Sequence, residues 1–222
     1  MRGQILAAAV ASLLQLAAEA QMSWTEEFQV QRRLAVGEVV VRSTLENNES
    51  SAHVSAAIRI KACPQEIWDV MTNCESALTF VPGLKRCRRL DRAADGSWEV
   101  IEHEVKYTWL LPAIHYVFRA EYHRPYRINI QQLSGDLKDQ HGTWLLEVQP
   151  GGATTVVEYE LYVEPGFWVP KALVSRSLRK DLPAMLTALR TRVESADSGI
   201  PAATTPHAQN LCVGAVVRQA PP

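Results

Sequence analysis

One stretch, "WEVIEHEVKYTWLL" (98–111), gathers residue types that could move a proton: Glu102, His103 and Glu104. Read as a strand, it splits into two faces. Ile101, His103, Val105, Tyr107, Trp109 and Leu111 form one set; Trp98, Val100, Glu102 and Glu104 form the other. If the first set faces the interior, an imidazole enters it, a group that gives or takes a proton near neutral pH. If the second does, Glu102 and Glu104 enter, and burial raises their pKa values towards those of a general acid. A bulge would reconcile the two sets. In a third reading the charged set faces solvent and His103 is a packed core histidine. No residue is assigned as catalytic; His103 and Glu102 are the candidates.

Four cysteines raise a second question: Cys63, Cys74, Cys87 and Cys212. They form no C-x-x-C pair and have no histidine at ligand spacing, so no metal is expected. "PQEIWDVMTN" between Cys63 and Cys74 reads as a short helix. A helical rise would hold those two sulfurs roughly 14 Å apart, too far for a bridge. Cys74 and Cys87 flank a turn-rich segment that can fold back, so the expected disulfide is Cys74–Cys87. Closing a loop of about 14 residues stabilises by roughly 3 kcal/mol in the chain-entropy model. Cys212 is expected unpaired.

The compartment bears on that bridge. "MRGQILAAAVASLLQLAAEAQ" carries one positive charge at Arg2, then an apolar run from Ile5 to Ala18, then Ala18-Glu19-Ala20. This is the order of a secretory signal, cleaved near Ala20. An exported chain, periplasmic or secreted, reaches an oxidising compartment where disulfides persist. The other reading is an amphipathic or buried N-terminal helix. Asn48-Glu49-Ser50 fits a glycosylation sequon, which matters only in a eukaryotic secretory host.

The 222 residues are 47% hydrophobic and 21% charged, the balance of a chain that folds around a core. Net charge is −1, which gives no footprint for nucleic acid. H-E-x-x-H, G-x-S-x-G, the P-loop and the dinucleotide fingerprint are all absent from the sequence, and no cofactor is expected.

The elements that must position these residues follow from periodicity. Residues 21–35 are polar and mixed and read as a lead-in. "GEVVVRSTLENNESSAHVSAAIRIKA" (37–62) reads as two strands around a polar turn, the second with Val54, Ala56, Ile58 and Ile60 on one face. Pro64 opens a helix carrying Ile67, Trp68 and Met71. A second short helix covers 75–80 and ends at Pro82-Gly83. Six strands follow, at 84–91, 97–110, 114–123, 126–133, 141–149 and 153–164, in hairpin order. "VPKALVSRSLRKDLPAMLTALRTRVESA" (169–196) places Val174, Leu178, Leu182, Met185, Leu186, Leu189 and Val193 at helical steps. Pro183 should kink or restart that helix, with Asp181 as cap. Each strand buries one face, and the last helix is the one element large enough to cover it. The expected fold is α+β, a curved antiparallel sheet wrapped around a long C-terminal helix. The expected organisation is a signal over 1–20, a lead-in with a strand over 21–51, a domain over 52–196 and a disordered tail over 197–222.

This order of elements resembles the SRPBCC superfamily, whose helix-grip fold is shared by START lipid-transfer domains, the birch pollen allergen family and polyketide cyclase/dehydrase proteins. "VSAAIRIKACPQEIWDVMTN" resembles the family's first strand and Pro-x-x-hydrophobic-Trp helix. "FVPGLKRCRRL" resembles its turn into strand two; "GTWLLEV", "TVVEYELYVEP" and "LRKDLPAMLTALR" resemble its last strands and long helix. The likeness covers about residues 52–195. It is strongest to the branch that includes coenzyme Q-binding proteins; those are expected inside cells or mitochondria, a setting from which the export signal departs.

The resemblance implies a hydrophobic cavity between sheet and helix, holding a lipid or other hydrophobic small molecule. Parity then gives its walls: Tyr116, Phe118, Ala120 and Tyr122 on one strand, Trp144, Leu146 and Val148 on another, and Thr155, Val157, Tyr159, Leu161 and Val163 on the last. The expected ligand contacts are Trp68, Phe80, His103, Tyr116 and Phe118, with Trp144, Tyr159, Leu178 and Leu182 opposite. The 74–87 segment and the Pro183 kink are expected at its entrance. Plain core packing is the competing reading of each residue. The basic side of the long helix (Arg176, Arg179, Lys180, Arg190, Arg192) reads as a solvated face, or as a peripheral contact with anionic membrane headgroups. Three functions remain open: an exported carrier of a hydrophobic molecule, a cyclase or dehydratase using His103 or Glu102, and a non-catalytic assembly partner with a filled core.

Overall fold

The computed structural model describes residues 24–45, 51–106, 112–169, 173 and 176–197. The expectations for the signal over 1–20, the sequon, Cys212 and all of the 197–222 tail but Asp197 fall outside these residues, as do Tyr107, Trp109 and Leu111.

After a 3-10 turn at Trp24–Glu26, the described chain runs through helix α1 (Phe28–Ala35), strands β1 (Val40–Leu45) and β2 (Ala52–Ile60), and helices α2 (Pro64–Met71) and α3 (Cys74–Phe80). Six strands follow: β3 (Leu84–Arg92), β4 (Trp98–Val105), β5 (Ile114–His123), β6 (Arg127–Gly135), β7 (Leu137–Val148) and β8 (Thr155–Pro165). A π-helical turn (Ser177–Asp181) leads into helix α4 (Leu182–Asp197). All eight strands form one antiparallel sheet in the order β1-β2-β8-β7-β6-β5-β4-β3. The β2–β8 pairing joins the first two strands to the last, and β3 to β8 form a meander. The expected fold is therefore the observed one.

Local chemistry explains the helix starts. Pro64 opens α2 behind Cys63, whose backbone N–H donates to Glu66 Oε2 at 2.7 Å. Asn73 caps α3, its Oδ1 accepting from the Ser76 N–H at 2.9 Å. Pro183 has no N–H to give, and the helix before it widens: the Leu182 N–H reaches back to the Ser177 carbonyl. The regular helix restarts at Leu182, so Asp181 closes the π turn instead of capping.

On the inner face, Ile58, Ile60, Ile67, Trp68, Phe118, Leu146, Val157, Leu186, Leu189 and Val193 make one core under α4. The outer face departs from the one-sided burial expected. The lead-in residues fold as α1, whose Val30 and Leu34 pack on Val40, Ala57 and Val156. That is why Thr155 to Tyr159 are buried at every position and not at alternate ones. Val30 and Leu34, four apart, supply a stripe too short to stand out among the polar residues around it.

Candidate functional site: an interior aromatic cavity

A cavity of about 130 Å³ lies on the inner face of the sheet. Strands β4 to β8 provide its walls through Ile101 and His103, then Tyr116, Phe118, Ala120 and Tyr122, Ile128 and Ile130, Gln140 and Trp144, and Tyr159. The helical side contributes Met71, Ala77, Phe80 and Met185, with Val81 beside them. At roughly 10–15 Å³ for a water-sized body, this holds about ten, the scale of a two-ring molecule.

Strand β4 resolves the facing question. Ile101 and Val105 are buried, and alternation carries His103 inward with them. Glu102 points the other way, which corrects its candidacy as an interior acid. It is ion-paired on the outer face with Arg88 Nε at 3.1 Å and Arg86 Nε at 3.8 Å. Glu104 pairs there with Arg86 at 2.8 Å. The physical reason is that two apolar residues gain more by burial than two carboxylates, which keep arginines and water instead.

His103 Nδ1 lies 3.2 Å from the Tyr116 hydroxyl, its neighbour across the β4–β5 ladder. Its ring stands edge-on to Phe118, with centroids 5.0 Å apart at 80°. Burial pushes its pKa down to about 4, so the ring is neutral at physiological pH. Trp144 and Tyr159 stack at 3.9 Å and 19° on the opposite wall. Burial, then the Glu99 carboxylate, pushes the Tyr122 phenol up; its hydroxyl donates to Glu99 at 3.0 Å, and Arg89 holds Glu99 at 2.7 Å. No lining side chain carries a formal charge once His103 is neutral.

Of the residues expected to touch a ligand, Phe80, His103, Tyr116, Phe118, Trp144 and Tyr159 line this one space. Trp68 does not line it: the indole is wholly buried in the core, edge-on to Tyr122 at 5.5 Å. Helix α2 carries it into the core cluster with Ile67, and the Arg124 guanidinium lies 5.5 Å from its ring centre. Leu182 packs against the same core at its margin, and Met185, almost one turn on, reaches the cavity in its place. The Leu178 side chain lies outside the described residues. Cys74 and Cys87 are bonded, with Cα atoms 5.3 Å apart, and both line the cavity. Cys63 is disulfide-bonded as well. Among the described residues no cluster of three metal-ligating side chains occurs.

Gln140 is the polar residue missed from sequence. It is buried and lines the cavity. The signal was its parity with Trp144 and Leu146; the strand begins at Leu137, earlier than the 141 start expected, and so includes it.

Residues 60–190 match the family described as polyketide cyclase / dehydrase and lipid transport. The chain belongs to that family, which includes both cyclases and non-catalytic lipid binders. Among solved structures, it is similar to a STAR-related lipid transfer protein from Xanthomonas axonopodis: 14% identity, TM-score 0.60, covering 70% of this chain and 93% of that one. Human STARD10 is similar at 15% identity and TM-score 0.55, covering 72% of this chain and 73% of that one. So is the Zhui aromatase/cyclase from a Streptomyces species, at 15% identity and TM-score 0.56, covering 66% of this chain and 96% of that one. At these identities the likeness speaks for the fold. No curated protein matches the chain.

Proposed function

We propose that this protein is a carrier that binds a small hydrophobic molecule in the cavity between the sheet and the helices. The observation that carries the reading is the cavity itself: about 130 Å³ of interior space walled by aromatic rings, with no charged side chain turned into it. Such a space favours an apolar, uncharged occupant, since an ion would lose its hydration without a counter-charge. Family membership supports the same reading. The stacked Trp144–Tyr159 pair offers a flat wall for a ring or chain.

The carrier is proposed to work in an oxidising compartment, periplasmic or extracellular. Support comes from the Cys74–Cys87 bridge and the signal-like residues 1–20. A second reading, a cyclase or dehydratase, draws on the His103–Tyr116 pair in the cavity wall. A base with a pKa near 4 is weak at neutral pH, which favours binding over proton abstraction.

Organic extraction of the protein purified from its own cells, followed by mass spectrometry, tests the carrier reading. The expected result is one apolar species, or a narrow class, in near-stoichiometric amount. Recovery of nothing above the level in a control protein would refute it.

A further inference from the structure

The accounting of polar atoms in the cavity wall leaves one over. Thr72 donates to the Trp68 carbonyl at 2.9 Å, and Asn73 accepts from the Ser76 N–H. Tyr116 and His103 hold one another, and Tyr122 holds Glu99. Gln140 is 8% exposed, and its Oε1 is buried without a hydrogen-bond donor. A buried amide oxygen left unpaired is strongly disfavoured, and such groups in folded proteins call for a partner.

A second buried acceptor lies on the adjacent strand. The β6–β7 pairing ends at Gln131 and His141, and Gln132 and Gln140 are the next residues beyond it on the two strands. Gln132 shares the inward parity of Ile128 and Ile130, both in the cavity wall. Its Nε2 donates to the Leu137 carbonyl at 2.7 Å, which fixes the orientation of the amide. Its Oε1 is left buried without a donor too. Gln140 Oε1 is thus the unpaired buried acceptor among the residues that line the cavity, and Gln132 Oε1 is a second one on the adjacent strand, outside the lining.

We infer that the bound molecule is a neutral hydroxyl compound, a two-ring phenol or alcohol in size, whose O–H donates to Gln140 Oε1. This rests on the carrier reading above and specifies its ligand class. A carboxylate fits badly. It has no proton to donate to Gln140 Oε1 at neutral pH and would meet no cation among the lining residues. A plain hydrocarbon would fill the space and leave the acceptor unpaired. Gln140 is therefore a specificity-determining contact: a site built to accept from a hydroxyl rejects the analogue that lacks it.

Calorimetric titration of the full chain, stripped of any bound molecule, with naphthol, naphthalene and naphthoate tests this. The expected order is naphthol tightest, by about tenfold over each of the others. In Gln140→Leu, naphthol is expected to weaken about tenfold while naphthalene holds or tightens. Gln140→Met, nearer in length, serves if the leucine variant does not fold. Naphthalene binding as tightly as naphthol, or naphthoate binding tightest, overturns the inference and leaves the carrier reading standing. An equal loss for naphthol and naphthalene in a folded variant overturns it as well. Failure of all three to bind overturns both.

Discussion

His103 and Tyr116 face each other across the β4–β5 ladder, the imidazole Nδ1 3.2 Å from the phenol oxygen, inside the cavity wall. Burial holds the histidine near pKa 4, against an ordinary value of 6.5. The folded chain therefore resists a proton that the unfolded chain accepts, and stability falls as pH drops through that interval. The loss is complete near pH 4 and amounts to about 3 kcal/mol. Urea unfolding of the wild type at pH 7 and pH 4 is expected to show it, and His103→Gln is expected to lack this part of the pH dependence. An unchanged pH slope in the variant would mean that another group carries it.

The Cys74–Cys87 bridge joins the first residue of α3 to β3, and both sulfur-bearing residues line the cavity. Replacing the pair with alanines is expected to destabilise the fold by about 3 kcal/mol, the loop-closure value for this span. The double variant is a cleaner probe than a reductant, because Cys63 is disulfide-bonded too. Affinity should also fall, since Ala77 and Phe80 ride on the helix that the bridge pins. Thermal melts and probe titrations of the Cys74→Ala, Cys87→Ala protein read both effects. A melt unchanged from wild type would show that packing alone holds α3.

Leu34 is fully buried where α1 covers Ala57 and Val156 on the outer face of the sheet. Leu34→Ala is expected to destabilise by about 2–5 kcal/mol, the range for a large-to-small change in a packed core. Denaturant unfolding checks the value. A shift under about 0.5 kcal/mol, the level of an ordinary surface change, would show that α1 is not integral to the fold.

How legible each element is in the sequence depends on the strength of its local signal. The period-two alternation of Val54 to Ile60 and of Tyr116 to Tyr122 is unambiguous, and both faces came out as read. The helical steps through Leu186, Leu189 and Val193 were equally plain. The Cys74–Cys87 pairing followed from a helix on one side and a turn on the other. Strand 98–111 was ambiguous because apolar residues occupy both parities; register with β5 decided it, a fact beyond one strand's own sequence. Trp68 was misjudged because an aromatic beside a cavity and one inside it look alike until the depth of α2 is known. Gln140 was missed because a glutamine near a predicted strand start reads as a turn residue. Its importance lies in the donor it lacks, which only the folded neighbours reveal.

A carrier must hold its ligand in the interior space. Ala120 lines that space with the smallest of the side chains on β5 that face it. Native mass spectrometry of wild type and Ala120→Phe, both purified from the host, tests this most directly, because the added ring fills the space without removing a contact. Extra mass on the wild type, released on denaturation, is expected, with a bare chain mass for a folded Ala120→Phe. Equal bound mass on both proteins, or none on the wild type, would contradict the carrier reading.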